Sequence, residues 1–384
     1  MHKAKHVVII AGEESGDAHA ADLIKQLKAV YPDIRISGIG GKHMEKAGAE
    51  MISDLAKYGV TGASEVLRLF KTIKDAFKRI KEHLLQQRPD LLILVDYPGF
   101  NLRLAKYAKE KLGLKILYYI SPQIWAWKPK RIHLIKKTVD RMAVILPFEK
   151  YIYEKAGVPV SFVGHPLIEK IPANPDIQTY RNNLNLDPQA KIIALLPGSR
   201  NNEIQKHMPV LRDTAILQNQ LNPELQFVIP IAGTINPEQI KAYFKDLNLP
   251  ITFIQGKALD CMIAADFVIV ASGTASLECA LLEKPMCIIY KSSLLTYYLA
   301  MKFINIRYLG LCNLLLDKLW IPEFLQYDCN AEELSRYLTD FYNDPEQPAK
   351  MKSGLKNLKD LLSTKDIDCS LFGLVEKELS EISA

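Results

Sequence analysis

Two stretches in the second half of the chain carry residue types suited to oxygen anions. In residues 267–278, FVIVASGTASLE, an apolar run breaks at Ser272-Gly273-Thr274 and a helical pattern follows, with Leu277, Leu281 and Leu282 on one face. Free amides and the positive end of a helix dipole then point beyond the strand. Two hydroxyls, a glycine that permits close approach, and no acid before Glu278 suit a phosphate, with the Glu278 carboxylate placed to accept from a sugar diol. Taken alone, an ordinary helix cap is the better reading. A second loop, Leu195-Leu196-Pro197-Gly198-Ser199-Arg200, adds a glycine turn, a hydroxyl and a guanidinium after another apolar run. Together the two loops outweigh the capping reading.

The first half offers carboxylates instead. After the run 6–11 comes Gly12-Glu13-Glu14-Ser15-Gly16-Asp17. A glycine-rich first turn suits a nucleotide, but three acids would repel a diphosphate. Asp17 is expected to cap the next helix. Glu13 and Glu14 then fit hydroxyl recognition, with surface solvation as the alternative. After the run 91–95 comes Asp96-Tyr97-Pro98-Gly99-Phe100-Asn101. Asn101 is expected to cap the helix there, which leaves Asp96 either to take a proton from an attacking hydroxyl or to tie down the turn's amides. A third loop, Ser121 to Lys128, carries Trp125 and Trp127, which suit a sugar face, lipid or the edge of a core.

These loops need strands to present them. Strand-like runs at 6–11, 34–39, 91–95, 115–120 and 141–146 alternate with helical patterns, which predicts a parallel, doubly wound sheet. A Pro-, Asn- and Asp-rich stretch at 172–188 reads as the linker. A second series follows at 191–196, 226–231, 251–254, 267–270 and 286–290. The expected architecture is therefore α/β, two similar Rossmann-like domains with a cleft between them: 1–170, 171–335, and a helical tail at 336–384. In such sheets ligands sit beyond the carboxyl ends of the strands.

One helix stands apart. Phe70, Ile73, Phe77, Ile80 and Leu84 form a stripe, with Arg68, Lys71, Lys74, Lys78, Arg79 and Lys81 around it. A core-facing helix is the usual meaning of such a stripe. The added Val66, Leu67 and Leu69 also make it a candidate for a membrane surface.

At 384 residues, 48% hydrophobic and 24% charged, the chain has a globular composition, and a net charge of +6 is too modest to argue for nucleic acid. The six cysteines form no CxxC or metal-ligand spacing and read as buried free thiols of a reducing cytoplasm. The first apolar run ends within five residues at an acidic loop, which argues for a strand over a signal peptide. The only DxD, Asp366-Ile367-Asp368, follows no strand, so Arg200 and helix N-termini are expected to stabilise a leaving diphosphate without a metal.

In order, GEESGD, VDYPGFN, SPQIWAWKPKR, LPFEK, FVGHP, LLPGSR and ASGTASLE resemble the motifs of bacterial lipid A disaccharide synthases over about residues 6–316. The resemblance implies a two-domain GT-B glycosyltransferase that joins UDP-2,3-diacylglucosamine to 2,3-diacylglucosamine 1-phosphate. The product is a β-1,6 disaccharide, formed with inversion and without metal or other cofactor. It implies Asp96 as the general base, Glu13 as an active-site acid with Ser15 beside it, and Gly198, Ser199, Arg200, Ser272, Gly273, Thr274 and Glu278 on the UDP side. Asn313 matches an asparagine of a Leu-Pro-Asn motif, here Leu311-Cys312-Asn313. The resemblance also implies a peripheral enzyme on the cytoplasmic face of a Gram-negative inner membrane, with contact at Val66, Leu67, Leu69, Phe70 and Ile73; a homodimer is reasonable but not required. The rivals are another GT-B enzyme, such as a UDP-N-acetylglucosamine epimerase or a peptidoglycan-type transferase, and a non-catalytic nucleotide- or membrane-binding protein.

Overall fold

The computed structural model describes residues 5–54, 63–293, 307–364 and 370–381, the side chains of 63–70 excepted. The chain divides into two compact units, Met1–Pro166 with Leu362–Ala384, and Leu167–Leu361.

The first unit holds seven parallel strands, β1 (His6–Ala11), β2 (Arg35–Gly40), β3 (Glu50–Asp54), β4 (Leu91–Val95), β5 (Ile116–Tyr119), β6 (Arg141–Val144) and β7 (Val160–Phe162), in the order β3-β2-β1-β4-β5-β6-β7. The second holds six, β8 (Ile192–Leu196), β9 (Gln226–Ile231), β10 (Ile251–Gln255), β11 (Phe267–Ala271), β12 (Met286–Tyr290) and β13 (Glu323–Leu325), in the order β10-β9-β8-β11-β12-β13. All ten runs expected from the sequence are strands. Central strands such as β1, β4 and β11 are buried throughout, as two-sided coverage by helices requires, and so they read as continuous apolar runs. The three strands the pattern missed, β3, β7 and β13, lie at sheet edges, are short, and are mostly half-buried.

Both sheets reverse direction at one place. The chain winds outward from β1 through β2 to β3, then returns to place β4 on the other side of β1. The second sheet repeats this at β8 and β11. Crossover helices leave β1 and β4 toward opposite faces at such a switch point, and the gap between the two outgoing loops is where open α/β sheets bind ligands. The loops after β1, β4, β8 and β11 are the four that carry the candidate catalytic and nucleotide-side residues.

The linker expected at 172–188 is folded onto the second unit. Asp176 caps helix Ile177–Asn183, and buried Arg181 donates to the carbonyls of Ala264, Pro188 and Ala190 and to Asp266. The tail splits. Helices through Leu361 stay with the second unit, where Gln218 donates to Ser335 at 2.8 Å. Helix Leu371–Ser380 joins the first unit, adding Leu374, Val375 and Leu379 to the core beneath β1 and β4. There the buried Glu378 pairs with Lys115 at 2.8 Å and Arg141 at 3.0 Å.

In helix Ala63–Gln87, Ala76, Ile80 and Leu84 are buried, and Ile73 and Phe77 pack against the same core. Ile73 is half-buried, packing on this core with part of its surface and leaving the rest accessible. Lys71, Lys74, Lys78 and Arg79 are exposed. The side chains of Val66, Leu67, Leu69 and Phe70 lie outside those described. Five cysteines, Cys261, Cys279, Cys287, Cys312 and Cys329, are free and buried; Cys369, like Asp366 and Asp368, lies outside the described residues.

Candidate active site

β8 and β11 pair from Phe267↔Ile193 to Val270↔Leu196, so their outgoing loops emerge side by side. Between them opens a pocket of about 460 Å³ lined by Gly198, Ser199, Arg200, Ser272, Gly273, Thr274 and Glu278. All seven residues expected on the nucleotide side thus line one cavity. Helix Thr274–Leu281 starts at its wall, and no side chain caps its first amides. Glu278, one turn in, is mostly buried, and burial raises its carboxyl above the usual range while Lys170 opposes the shift.

Two features of this pocket were not legible in its motifs. Glu203 reaches back from the first turn of helix Asn201–Leu221, and its Oε2 accepts from the amides of Ser199 at 2.9 Å and Arg200 at 3.2 Å. Gly198, at φ 111°, leaves the space for it; a Cβ there would lie 2.3 Å from Glu203 Oε2. So the loop's anion-seeking amides already hold a carboxylate. Beneath them, buried His207 is 2.7 Å from the Pro197 carbonyl through Nδ1 and accepts from the Lys291 amide at 3.0 Å through Nε2. The acceptor role of Nε2 fixes the proton on Nδ1, and one neutral ring braces the Pro197 turn against the end of β12. Pro230 to Ala232 at the end of β9, and Gly256 with Lys257 after β10, add to the lining. Lys257 is left-handed at φ 50°, and only its place after an apolar run hinted at a role.

In the first unit, β1 and β4 pair from Val7↔Leu91 to Ala11↔Val95, and the two acidic loops meet. Gly12 lies against the Tyr97 ring, so closely that a Cβ would sit 2.2 Å from Tyr97 Cδ1. Asp96 and Tyr97 both have φ 46°. Consecutive left-handed residues without glycine cost about 1–3 kcal/mol each and cluster at functional sites. The turn is held from below: the Asn101 amide donates to the carbonyls of Val95 at 3.1 Å and Asp96 at 2.8 Å, and the Tyr118 hydroxyl to the Asp96 carbonyl at 2.6 Å. Asn101 thus clamps the strand end and does not cap the helix, which starts at Pro98 with Tyr97 as its N-cap.

The Asp96 side chain is left largely to the site. Burial and the nearby charge of Glu13 push its carboxyl up to about 6, against a lowering by the Tyr97 amide. A carboxyl raised to that range is more basic than a surface aspartate and still largely ionised at neutral pH. Glu13, Glu14 and Ser15 are exposed at the start of helix Glu14–Val30. Asp17 is not the cap of that helix. It lies inside the first turn, buried, and accepts from the amides of Gly41, His43 and Met44, so it caps the short helix Lys42–Lys46 after β2.

Asn313 is fully buried. Its amide donates to Ile321 at 2.7 Å and Glu323 at 2.8 Å, and its oxygen accepts from the amides of Trp320 and Ile321. These bonds close the turn leading into β13. Cys312, where the family pattern has proline, is the second residue of helix Leu311–Leu316, a position where proline and cysteine both fit because the amide has no partner within the helix. Among the described residues no three His, Cys, Asp or Glu side chains gather as a metal-ligand set.

The family model described as Lipid-A-disaccharide synthetase matches residues 7–373. Lipid-A-disaccharide synthase 1 of Legionella pneumophila strain Lens is 66% identical, covering 100% of both chains, and the Lipid-A-disaccharide synthase of Trichlorobacter lovleyi is 42% identical over 97% of both. Among solved structures, the UDP co-structure of S. aureus MnaA aligns with a TM-score of 0.63 at 12% identity over 99% of this chain and 98% of that one. The calicheamicin glycosyltransferase CalG4 aligns at 0.61 and 12%, covering 100% of both.

Proposed function

The chain belongs to the lipid-A-disaccharide synthetase family, and from that membership we propose how its two loop systems divide the reaction. The enzyme is a glycosyltransferase of GT-B fold that condenses UDP-diacylglucosamine with diacylglucosamine 1-phosphate in lipid A biosynthesis.

In our reading, the pocket between β8 and β11 holds the UDP of the donor. Arg200 and the amides at the start of helix Thr274–Leu281 take the diphosphate, and Glu278 accepts from the ribose. Asp96 removes the proton from the acceptor 6-hydroxyl as that oxygen attacks the anomeric carbon. The C–O bond to UDP breaks in the same displacement, the configuration inverts, and the negative charge arrives on the diphosphate. Glu13 and Ser15 belong to the acceptor side, Glu13 also holding up the basicity of Asp96. Preorganised donors of this kind are worth about 3–4 kcal/mol each when removed singly. The observation that carries the reading is the gathering of all seven expected nucleotide residues around one cavity.

Among the described residues no helix is long and apolar enough to cross a membrane. We place the enzyme on the cytoplasmic face of the inner membrane, held by Val66, Leu67, Leu69, Phe70 and Ile73 with the exposed cations around them. Incubation with UDP-diacylglucosamine, with and without the monosaccharide phosphate, tests the chemistry. Acceptor-dependent UDP release is expected, whereas release without acceptor would mean hydrolysis or epimerisation.

A further inference from the structure

At the carboxyl end of β6 lies a carboxyl group that neither loop system uses. Glu149 stands in the first turn of helix Pro147–Ala156 and is 2% exposed. Its Oε1 accepts from Trp125 Nε1 at 3.1 Å. Its Oε2 is buried without a hydrogen bond. The Ser121 hydroxyl approaches the same carboxyl, but it donates its proton to the Pro122 carbonyl at 2.9 Å, with the Tyr153 hydroxyl 2.8 Å from its oxygen. Leaving a buried polar atom unpaired is costly, and each such atom calls for a reason.

The reason lies in what the other oxygen holds. Trp125 belongs to the loop that leaves β5 through Ile120, a β-branched residue at φ 61°, and runs on to Lys128 at φ 54°. Left-handed isoleucine is unfavourable, so this loop needs anchors. Trp125 has two: its ring meets Phe148 edge-on at 5.1 Å, and its indole N–H meets Glu149. β5 lies next to β4, and Tyr118 on β5 donates to the Asp96 carbonyl, so the loop rises directly beside the Asp96 turn. We propose that Glu149 is a positioning residue for glycosyl transfer, its buried carboxyl gripping the Trp125 indole and thereby fixing the 121–128 loop against the turn that carries Asp96. The inference rests on Asp96 being the base.

The charged surroundings give this grip a pH range. Burial pushes the Glu149 carboxyl up to about 8; the Trp125 indole, the Leu146 backbone and Ser121 pull it down, and the Asp96 charge pushes it further up. Tyr153, from Glu149's own helix, and Tyr118, from β5, are buried phenols that stay neutral, and Arg131 is the cation that acts on Tyr118. Asp96 loses its proton near 6. Between those values the base is charged and Glu149 is neutral. Above about 8 a second buried anion forms within reach of the first, a charge that the apolar surroundings of Glu149 disfavour.

The test is the pH dependence of kcat/KM for the whole protein with both substrates, in wild type, Glu149→Gln and Glu149→Leu. Wild type should rise through pH 6 and fall through pH 8. Glu149→Gln keeps an oxygen for Trp125 but cannot ionise. Its acid limb should stay, and its alkaline midpoint should move up by about one pH unit or more. Glu149→Leu should lose about 10²-fold in kcat, the usual cost of a misplaced site, with UDP affinity unchanged. Should the leucine variant misfold, the glutamine variant decides. An unmoved alkaline limb in Glu149→Gln overturns the proposal. A wild-type profile flat through pH 6 would instead remove Asp96 as the base, and the proposal with it.

Discussion

Glu203 and Arg200 hold each other twice: the Glu203 carboxylate pairs with the guanidinium at 3.1 Å and accepts the Arg200 amide at 3.2 Å. An incoming diphosphate wants both of those donors. Glu203→Gln should therefore tighten UDP binding by about threefold to tenfold, because it removes a negative charge that holds Arg200, while stability should change little since glutamine still closes the capping box. Arg200→Ala should weaken UDP by roughly 1.5–3 kcal/mol. Calorimetry reads both, and equal affinities across the three proteins would remove this pair from the diphosphate site.

Asp96→Asn should bind UDP normally and turn over about 10²–10⁴-fold more slowly. Wild-type kcat/KM should rise with pH through about 6, because the base is active only when ionised and burial with Glu13 holds its carboxyl there. Near-normal turnover of the asparagine variant would exclude Asp96.

Away from the site, His6 Nε2 is 2.8 Å from the Ser37 hydroxyl, itself 2.9 Å from His83 Nε2. Burial, then the charges of Arg35 and His83, lower the His6 pKa from 6.5 to about 4, and His83 is lowered too. The unfolded chain thus takes up protons at a pH where the folded chain does not. This contribution to stability is complete above about 6.5 and lost as pH falls through about 4. Urea midpoints followed from pH 7 to 4 should fall less steeply in His6→Asn than in wild type; parallel slopes would place the acid sensitivity elsewhere.

Glu378→Ala leaves Arg141 without that carboxylate and Lys115 with Glu381 as its remaining ion-pair partner among those two acids. The cost should be roughly 3 kcal/mol, the low end for removing one partner of a buried ion pair, because both cations keep some solvent contact. Hydrogen exchange should show the loss in β5 and β6 and not in the second unit. A uniform loss across both units would refute this.

A folded Phe70→Glu variant should sediment less with anionic liposomes than wild type, since a carboxylate replaces an apolar contact among lysines. Equal sedimentation would move the membrane contact away from this helix.

The sequence carried what burial imposes locally. Two-sided coverage writes β4 as Leu-Leu-Ile-Leu-Val, and a reader needs nothing else to find it. β3 and β7, half-buried at the edges, carry no such signature. Asp17 and Asn101 both looked like caps of their own helices because both are acceptors near a helix start. Asp17 serves amides 24 to 27 positions away, a choice made by the packing of β2 beside β1. The seven pocket residues were legible because strand–turn–helix chemistry is contiguous in sequence. Glu203 was not, because its carboxylate reads as ordinary helix charge until the backbone folds it over Gly198.

Helix Leu371–Ser380 also bears on how the molecule is made. Its Glu378 meets Arg141 across 237 positions of sequence. During synthesis the first sheet emerges early, yet the side chains that seal its underside are translated only after the whole second unit. Domains usually mature in order as they leave the ribosome; this one must wait, with the apolar face that will receive Leu374 and Val375 uncovered. The first half of the protein is thus the last to be finished.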